Sequence, residues 1–194
     1  MMTSTTGAAR PPRADARRNR DRILQVAEQH FSEHGVTGSL DQIAKSAGIG
    51  PGTLYRHFPN RAALLAALLA EREDHLTREL DDIAASSSDA ATSLQRWLTA
   101  LVEWASAFDG LPGPLRDAVS EEASPLALTC QGYITTTDTF LAAAQREGSA
   151  RSDVRARDLF LATLAIAWVG AAAMADESSR PGINALIHTG WATR

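Results

Sequence analysis

Cysteine is almost absent from this chain of 194 residues, which contains only Cys130. A single cysteine excludes an intrachain disulfide and fits a reducing cytoplasm, where we expect the protein to be located. Cys130 is either a reactive thiol or a small core residue. We expect the core residue, because free cysteine is among the most frequently buried residue types.

Long hydrophobic runs are also scarce. The most apolar segment, residues 159–175, has 17 residues, fewer than the ~20 that a membrane-spanning helix needs. We therefore expect this segment to be buried in protein. Residues 1–18 lack the apolar centre of a secretory signal, and we expect residues 1–14 to form a disordered basic tail.

Motifs for catalysis and metal binding are missing as well. The chain has no G-x-S-x-G nucleophile elbow and no glycine-rich phosphate loop. His30 and His34 have the i, i+4 spacing of metal ligands on a helix, but no Glu-x-x-His arrangement or cysteine pair completes a site. We expect His30 to face the core and His34 to lie at a helix end. The sequence predicts no enzyme, no metal and no cofactor.

Charge is distributed unevenly along the chain. Residues 1–63 contain nine Lys or Arg against five Asp or Glu, whereas residues 64–194 contain ten against eighteen. A polyanion would be attracted to the N-terminal third and repelled by the rest. Random surface charge is the alternative explanation.

Apolar residues follow helical spacing throughout, which predicts an all-α fold of about nine helices. The first helix ends at Gly35, the second runs over residues 40–47, and the third follows Gly50. A fourth helix is expected over residues 60–85. Later helices are expected near residues 92–108, 114–122, 126–147, 155–175 and 181–192, separated by segments rich in glycine, proline and serine.

The segment IGPGTLYRHFPNR, residues 49–61, combines turn residues with a short helical pattern. Gly50 suits an N-cap, Pro51 suits the first helical position, and Pro59 ends the helix. Ser39 and Gln42 have the spacing of a capping box for the preceding helix. Residues 39–58 therefore form a predicted helix-turn-helix, whose second helix enters a DNA major groove. The alternative is a plain turn between two structural helices.

The short helix carries residues suited to contacts with DNA. Gly50, Pro51 and Gly52 would allow the backbone to approach bases and phosphates closely. Thr53 can contact bases, and a basic group such as Arg56 can reach a guanine or a phosphate. Further phosphate contacts are expected from Tyr55, His57 and Arg61. The six arginines from Arg10 to Arg22 can add backbone or minor-groove contacts.

Residues 20–69 resemble the DNA-binding domain of the tetracycline-repressor (TetR) family of bacterial transcription regulators. The resemblance rests on the Thr-Leu-Tyr-Arg-His-Phe motif at residues 53–58, followed by a basic residue at 61. It implies an all-helical homodimer with a DNA-binding domain at residues 15–63 and an effector-binding and dimerisation domain at 64–194. It also implies that Ser39, with Gly52, Thr53, Tyr55, His57 and Arg61, contacts DNA. Gly50 and Pro51 replace a polar pair common in the family, so Gln42 is a further candidate for reading bases.

We call the helix-turn-helix unit of one chain its reading head. A two-fold operator requires two reading heads, so one helix-turn-helix per chain predicts a dimer. The helices near 155–175 and 181–192 are the candidate interface, because small residues there allow close approach. The candidate interface residues are Leu161, Leu164, Ala171, Ile187 and Trp191. The alternative is that the helix near 155–175 is the central core helix of its own domain, and both can hold together.

Aromatic residues in the second half share helix faces, which indicates an effector pocket walled by aromatics. The candidate pocket residues are Trp97, Trp104, Phe108, Tyr133, Thr137, Phe140 and Trp168. Plain core packing is the alternative for each of them. Glu103 or Asp138 would supply the nearby charge, which favours a mostly apolar effector that is neutral or cationic.

These features predict a DNA-binding regulator, a repressor released from a palindromic operator by a small, mostly apolar effector. The alternative is a regulator without a small-molecule ligand, controlled by a protein partner or by its abundance. An enclosed cavity in the second half would distinguish the two.

Overall fold

The computed structural model describes residues 12–86, 88–172 and 175–193, and these residues form ten α-helices. The helices are α1 Pro12–His34, α2 Leu40–Ser46, α3 Pro51–His57, α4 Arg61–Glu71, α5 Glu73–Ala85, α6 Ala90–Ala105, α7 Pro112–Ala118, α8 Ala127–Arg146, α9 Ala156–Gly170 and α10 Ser179–Trp191. The predicted all-α class is confirmed. Residues 1–11 of the predicted tail lie outside the described residues, whereas α1 begins at Pro12, inside the stretch predicted as tail.

Helices α1, α2 and α3 share one core and form the N-terminal unit. Ile23 and Phe31 from α1 pack with Ile43 from α2 and Leu54 from α3, and all four side chains are fully buried. Gly48 adopts φ +71° in the turn between α2 and α3, a backbone region that glycine enters at little cost. The turn therefore fixes the two short helices at an angle to each other.

One long helix over residues 60–85 was predicted, and this prediction is wrong. The chain leaves helical geometry at Arg72, where φ is −101° and ψ is 1°. Arg72 is held by an ion pair with Glu28 of α1, and its guanidinium lies 5.0 Å from the ring centre of Phe108, just beyond α6. Glu73 and Asp74 then begin α5, because acidic residues favour a helix N-terminus.

The N-terminal unit meets the rest of the chain at a small junction beside Arg72. The rings of Phe31 and Phe108 meet edge to face with centres 6.1 Å apart. The backbone amide of Val36 donates to the carbonyl of Asp109 at 2.8 Å. We call these residues, Glu28, Phe31, Val36, Arg72 and Phe108–Gly110, the domain junction.

Helices α6 and α9 lie together at the centre of the C-terminal unit, with α6 also against α5 and α8, and α9 also against α7, α8 and α10. The indole of Trp97 on α6 donates to the hydroxyl of Thr137 on α8 at 2.9 Å. Helix α9 contributes Phe160 and Leu164 to the same core. One side of the apolar run is therefore buried within the protein, as expected, whereas the other side is exposed at Trp168. Within the described residues, no helix is both long and apolar enough to cross a membrane.

Cys130 lies in this core, 1% exposed. Its thiol contacts the carbonyl of Leu115 at 3.7 Å, and burial raises the pKa of the thiol to about 11. A protonated, buried thiol is unreactive, which agrees with the interpretation as a core residue.

Candidate nucleic-acid interface

Helix α3 presents one face to the core and the other to solvent. Leu54 is buried and Phe58, which caps the helix end, is 3% exposed. On the opposite side Tyr55 and Arg56 are exposed, and His57 is half-buried. Tyr55 is 44% exposed, an unusual position for a large aromatic residue. The predicted reading residues therefore lie on the accessible face.

The space around Gly50 and Gly52 is open. A Cβ atom added at either residue would meet no other atom within 4 Å, and neither residue has the positive φ that requires glycine. The fold therefore does not require a glycine at these positions. Their lack of side chains leaves clearance at the start of α3 for something outside the protein.

Gly38 has a different reason for being glycine. A Cβ atom there would lie 2.7 Å from Nε2 of His30. His30 is partly buried and stacks on His34 with ring centres 4.5 Å apart, and burial together with the neighbouring His34 lowers the pKa of His30. The small residue at 38 accommodates this histidine, next to the predicted contact Ser39.

Ser39 and Gln42 lie at the start of α2, and both are exposed. The hydroxyl of Ser39 accepts a hydrogen bond from the backbone amide of Gln42 at 3.4 Å. As N-cap, Ser39 keeps its own O–H as a donor for an external acceptor. Gln42 is exposed on the solvent side of α2, whereas the next residue, Ile43, is buried in the core.

Arg61 is half-buried, unlike the exposed Arg56, and its expected contact with a phosphate stays a prediction. Its Nη1 donates to the carbonyl oxygens of Val36 and, at 2.6 Å, of Gly38. The guanidinium also lies 5.7 Å from the ring centre of Phe31, and burial lowers the pKa of Arg61. These carbonyls follow α1 and attract the cation inward, so Arg61 ties the loop before α2 to α4.

Two of the N-terminal arginines also have defined positions. Arg22 donates to the carbonyl of Ala47 at 2.7 Å and holds α1 against the end of α2. The guanidinium of Arg20 lies 5.6 Å from the ring centre of Phe58, which brings a positive charge to the end of α3. The side chains of Arg10 and Arg13 lie outside the part of the chain that the structure describes.

Five of the seven predicted pocket residues come together between α6 and α8. Tyr133 contacts the rings of Trp97 and Trp104, and Trp97 also contacts Phe140, with ring centres 4.8 to 6.0 Å apart. Thr137 completes the group. The rings touch one another and Trp97 is fully buried. Core packing accounts for this contact set, and only Tyr133 among the five reaches a described groove.

Phe108 and Trp168 do not join this aromatic cluster. Phe108 follows the end of α6 and turns to the domain junction. Trp168 points outward from α9 and is 62% exposed. The two expected charges are not inside the cluster either, because Glu103 is exposed and contacts His75 at 3.2 Å, and Asp138 is exposed on α8.

The predicted dimer residues divide into surface and core. Ala171 is exposed, and Leu161 and Ile187 are half-buried, so these three remain available to a partner. Trp191 is only 1% exposed within its own subunit and stacks edge to face on His188. Its assignment to the dimer interface is therefore corrected to the core, and Leu164, 4% exposed, is also a core residue.

A surface of exposed apolar residues lies on α9 and α10, and we call it the Trp168 face. Trp168 stands at its centre, and Leu186 of α10 is 73% exposed. Grooves on both sides of Trp168 are lined mainly by apolar and small side chains from α7, α9 and α10. Helical spacing placed Trp168 with the pocket, because sequence alone does not show which side of a wholly apolar helix is covered.

Comparison with known proteins agrees with both halves of this architecture. Residues 23–68 match the family model described as bacterial regulatory proteins of the tetR family. Residues 89–192 match the model for the C-terminal domain of SbtR-like transcriptional regulators. The chain belongs to the TetR family. The TetR resemblance of the sequence is confirmed, and with it a regulator of transcription that binds DNA through a helix-turn-helix.

Individual TetR-family relatives support this assignment. An HTH-type transcriptional regulator of Staphylococcus aureus (strain USA300) is 51% identical over 53 residues, 27% of this chain and 29% of that protein. A TetR regulator from Streptomyces coelicolor is 31% identical, with 89% of this chain and 98% of that chain covered and a TM-score of 0.52. A TetR regulator from Mycobacterium vanbaalenii is 30% identical, with 94% of this chain and 100% of that chain covered and a TM-score of 0.50. Regulators of this family bind DNA operators, act as dimers and are not enzymes.

Proposed function

We propose that this chain is a repressor that binds a near-palindromic DNA operator as a homodimer in the cytoplasm and leaves it when a small effector binds. The main observation in support of DNA binding through α3 is the open space around Gly50 and Gly52. The fold needs neither glycine, whereas a recognition helix must bring its N-terminal backbone close to base edges. Thr53, Tyr55 and Arg56 follow directly on the accessible face.

The Trp168 face supports the homodimer. A protein that stays monomeric rarely exposes a contiguous apolar patch of this kind, and two copies would cover it by a symmetric contact. Leu161, Ala171 and Leu186 line grooves that also include Trp168, and Ile187 follows Leu186 on α10. Pairing across this face would leave the two α3 helices free to enter successive major grooves on one side of the DNA.

The domain junction supports control by an effector. Arg72 ends α4 at a point that contacts α1 through Glu28 and the α6–α7 loop through Phe108. A ligand that displaces α5 or the loop would change these contacts and, through α4 and Arg61, the orientation of the reading head. The effector must bind the released state more tightly than the DNA-bound state, because only differential affinity shifts an equilibrium.

Fluorescence anisotropy with a labelled duplex from directly upstream of the gene tests the proposal. We expect binding that weakens steeply with salt, because the protein releases counterions from the phosphates it contacts. Tyr55→Phe removes one candidate phosphate donor and should weaken specific and random DNA alike. Thr53→Ala should relax base preference by ~1–3 kcal/mol at one position.

The chain offers a matched control in its second tyrosine, Tyr133. Tyr133→Phe also removes one hydroxyl, but in the C-terminal unit, so it should leave DNA affinity unchanged. If the upstream duplex does not bind, selection from random duplexes identifies the operator. Failure to enrich any sequence would contradict DNA reading by α3.

A further inference from the structure

A groove between α5 and α8 lies apart from both the reading head and the Trp168 face. It has a volume of about 430 Å³, within the ~300–1,000 Å³ typical of small-molecule sites. Its walls include Leu76 and Leu80 of α5 and Leu128 and Tyr133 of α8. Three larger grooves all share Trp168, so the proposed dimer would cover or alter them.

Tyr133 forms part of the floor of this groove. Its hydroxyl is closed off from solvent and has no hydrogen-bond partner among the described residues, which costs free energy unless an occupant that displaces the lining reaches it. Its ring meets Trp104 edge to face with centres 4.8 Å apart, which holds the phenol in place. Burial, with the nearby negative charge of Glu73, raises the pKa of Tyr133, so the group stays a neutral donor and acceptor.

Glu73 gives the groove its only charge. The other lining residues are leucines, threonines, one glycine and Tyr133. Among the described residues, Glu73 takes part in none of the ion pairs. The surrounding C-terminal half is itself acidic, with ten basic against eighteen acidic residues. These charges attract a cation and repel a carboxylate.

Leu128 shows what the rest of an occupant would contact. It is 87% exposed although it lies beside the groove. An apolar chain lying in the groove would remove Leu128 and the half-buried Leu80 from water together, beside Leu76, which is already buried. Each buried methylene of such a chain should lower the Kd about fourfold.

We propose that this groove binds an organic ammonium ion with an apolar chain, its charge beside Glu73 and its chain along the leucines. The effect on DNA rests on the proposed function above. Glu73 directly follows Arg72, so an occupant held by Glu73 acts on the first turn of α5, next to the domain junction. Arg72 thereby connects the groove to α1 of the reading head, through its ion pair with Glu28.

Isothermal titration calorimetry of the full chain with three matched probes tests the proposal. The probes are octylammonium, octanol and octanoate, which share a chain and differ in charge. We expect octylammonium to bind once per chain and roughly fivefold more tightly than octanol, the gain of one partly exposed ion pair. Octanoate should bind more weakly than octanol. Added octylammonium should also release the operator duplex.

Variants locate the site. Glu73→Gln should abolish the advantage of octylammonium over octanol, whereas Glu71→Gln, a change at an exposed glutamate two residues earlier, should preserve it. Tyr133→Phe should weaken octylammonium and octanol by about twofold to tenfold, the value of one hydrogen bond. The proposal is overturned if no probe binds, if octanoate binds as well as octylammonium, or if Glu73→Gln preserves the ranking.

The two proposals fail separately in these experiments. A chain that binds DNA but no probe would refute the groove site and favour control by a protein partner or by abundance. A chain that binds octylammonium but selects no DNA sequence would refute the proposed repressor and leave the groove site standing.

Discussion

Replacement of Gly52 by alanine should change protein stability and DNA affinity in opposite directions. Gly52 is the second residue of α3, its backbone is helical, and a Cβ atom there would meet no protein atom within 4 Å. Alanine is favoured over glycine in helices by about 0.5–1 kcal/mol. Gly52→Ala should therefore stabilise the protein, with a rise in Tm of about 1–4 °C for a chain of this size.

The same methyl group should weaken operator binding. If the start of α3 approaches the base edges, the methyl occupies the space that the backbone needs and breaks at least one contact. The loss of a good base contact is worth about 1–3 kcal/mol, so the Kd should rise at least about fivefold. Calorimetric unfolding and anisotropy on the same preparation give both numbers.

Gly190→Ala is the matched control. Gly190 lies in α10, away from the groove between α5 and α8, and a Cβ atom there also meets nothing within 4 Å. This variant should gain the same stability and keep its DNA affinity. Undiminished DNA binding by Gly52→Ala would refute the close approach of α3, and a lower Tm would refute the conclusion that the fold does not need this glycine.

Three further outcomes follow from the packing. Arg61→Met should destabilise the protein by about 1–3 kcal/mol in urea unfolding, because two buried carbonyls lose their donor; unchanged stability would contradict this structural role of Arg61. Trp168→Glu should give a folded monomer by light scattering, whereas Leu128→Glu should stay dimeric. If both variants are dimeric, the Trp168 face is not the dimer interface. The raised pKa of Cys130 contributes stability below pH ~9 that is lost toward pH ~11, since the unfolded thiol ionises first; Cys130→Ala should flatten this part of the pH profile of the unfolding free energy.

The sequence predicted the reading head well because its signals are local. Gly50, Pro51 and Asn60 cap or begin α3 and α4 where expected, since capping depends on residues only a few positions apart. The apolar spacing in this region also placed Leu54 and Phe58 in the core. Local chemistry therefore sufficed for the element that reads DNA.

The features that the sequence did not reveal depend on distant partners. Arginine is a good helix former, so nothing local marks Arg72 as a break; Glu28 and Phe108 hold it there. Arg61 has the position of a phosphate ligand, but carbonyls more than twenty residues earlier turn it inward. Trp168 differs from Trp97 only in which side of its helix other helices cover.

The small size of the domain junction has an evolutionary consequence. The N-terminal and C-terminal units contact each other through a few side chains around Arg72 and a backbone hydrogen bond between Val36 and Asp109, and α4 and α5 do not form one continuous helix. A lineage that keeps these contacts can exchange its sensor for one with another chemistry while it retains its head.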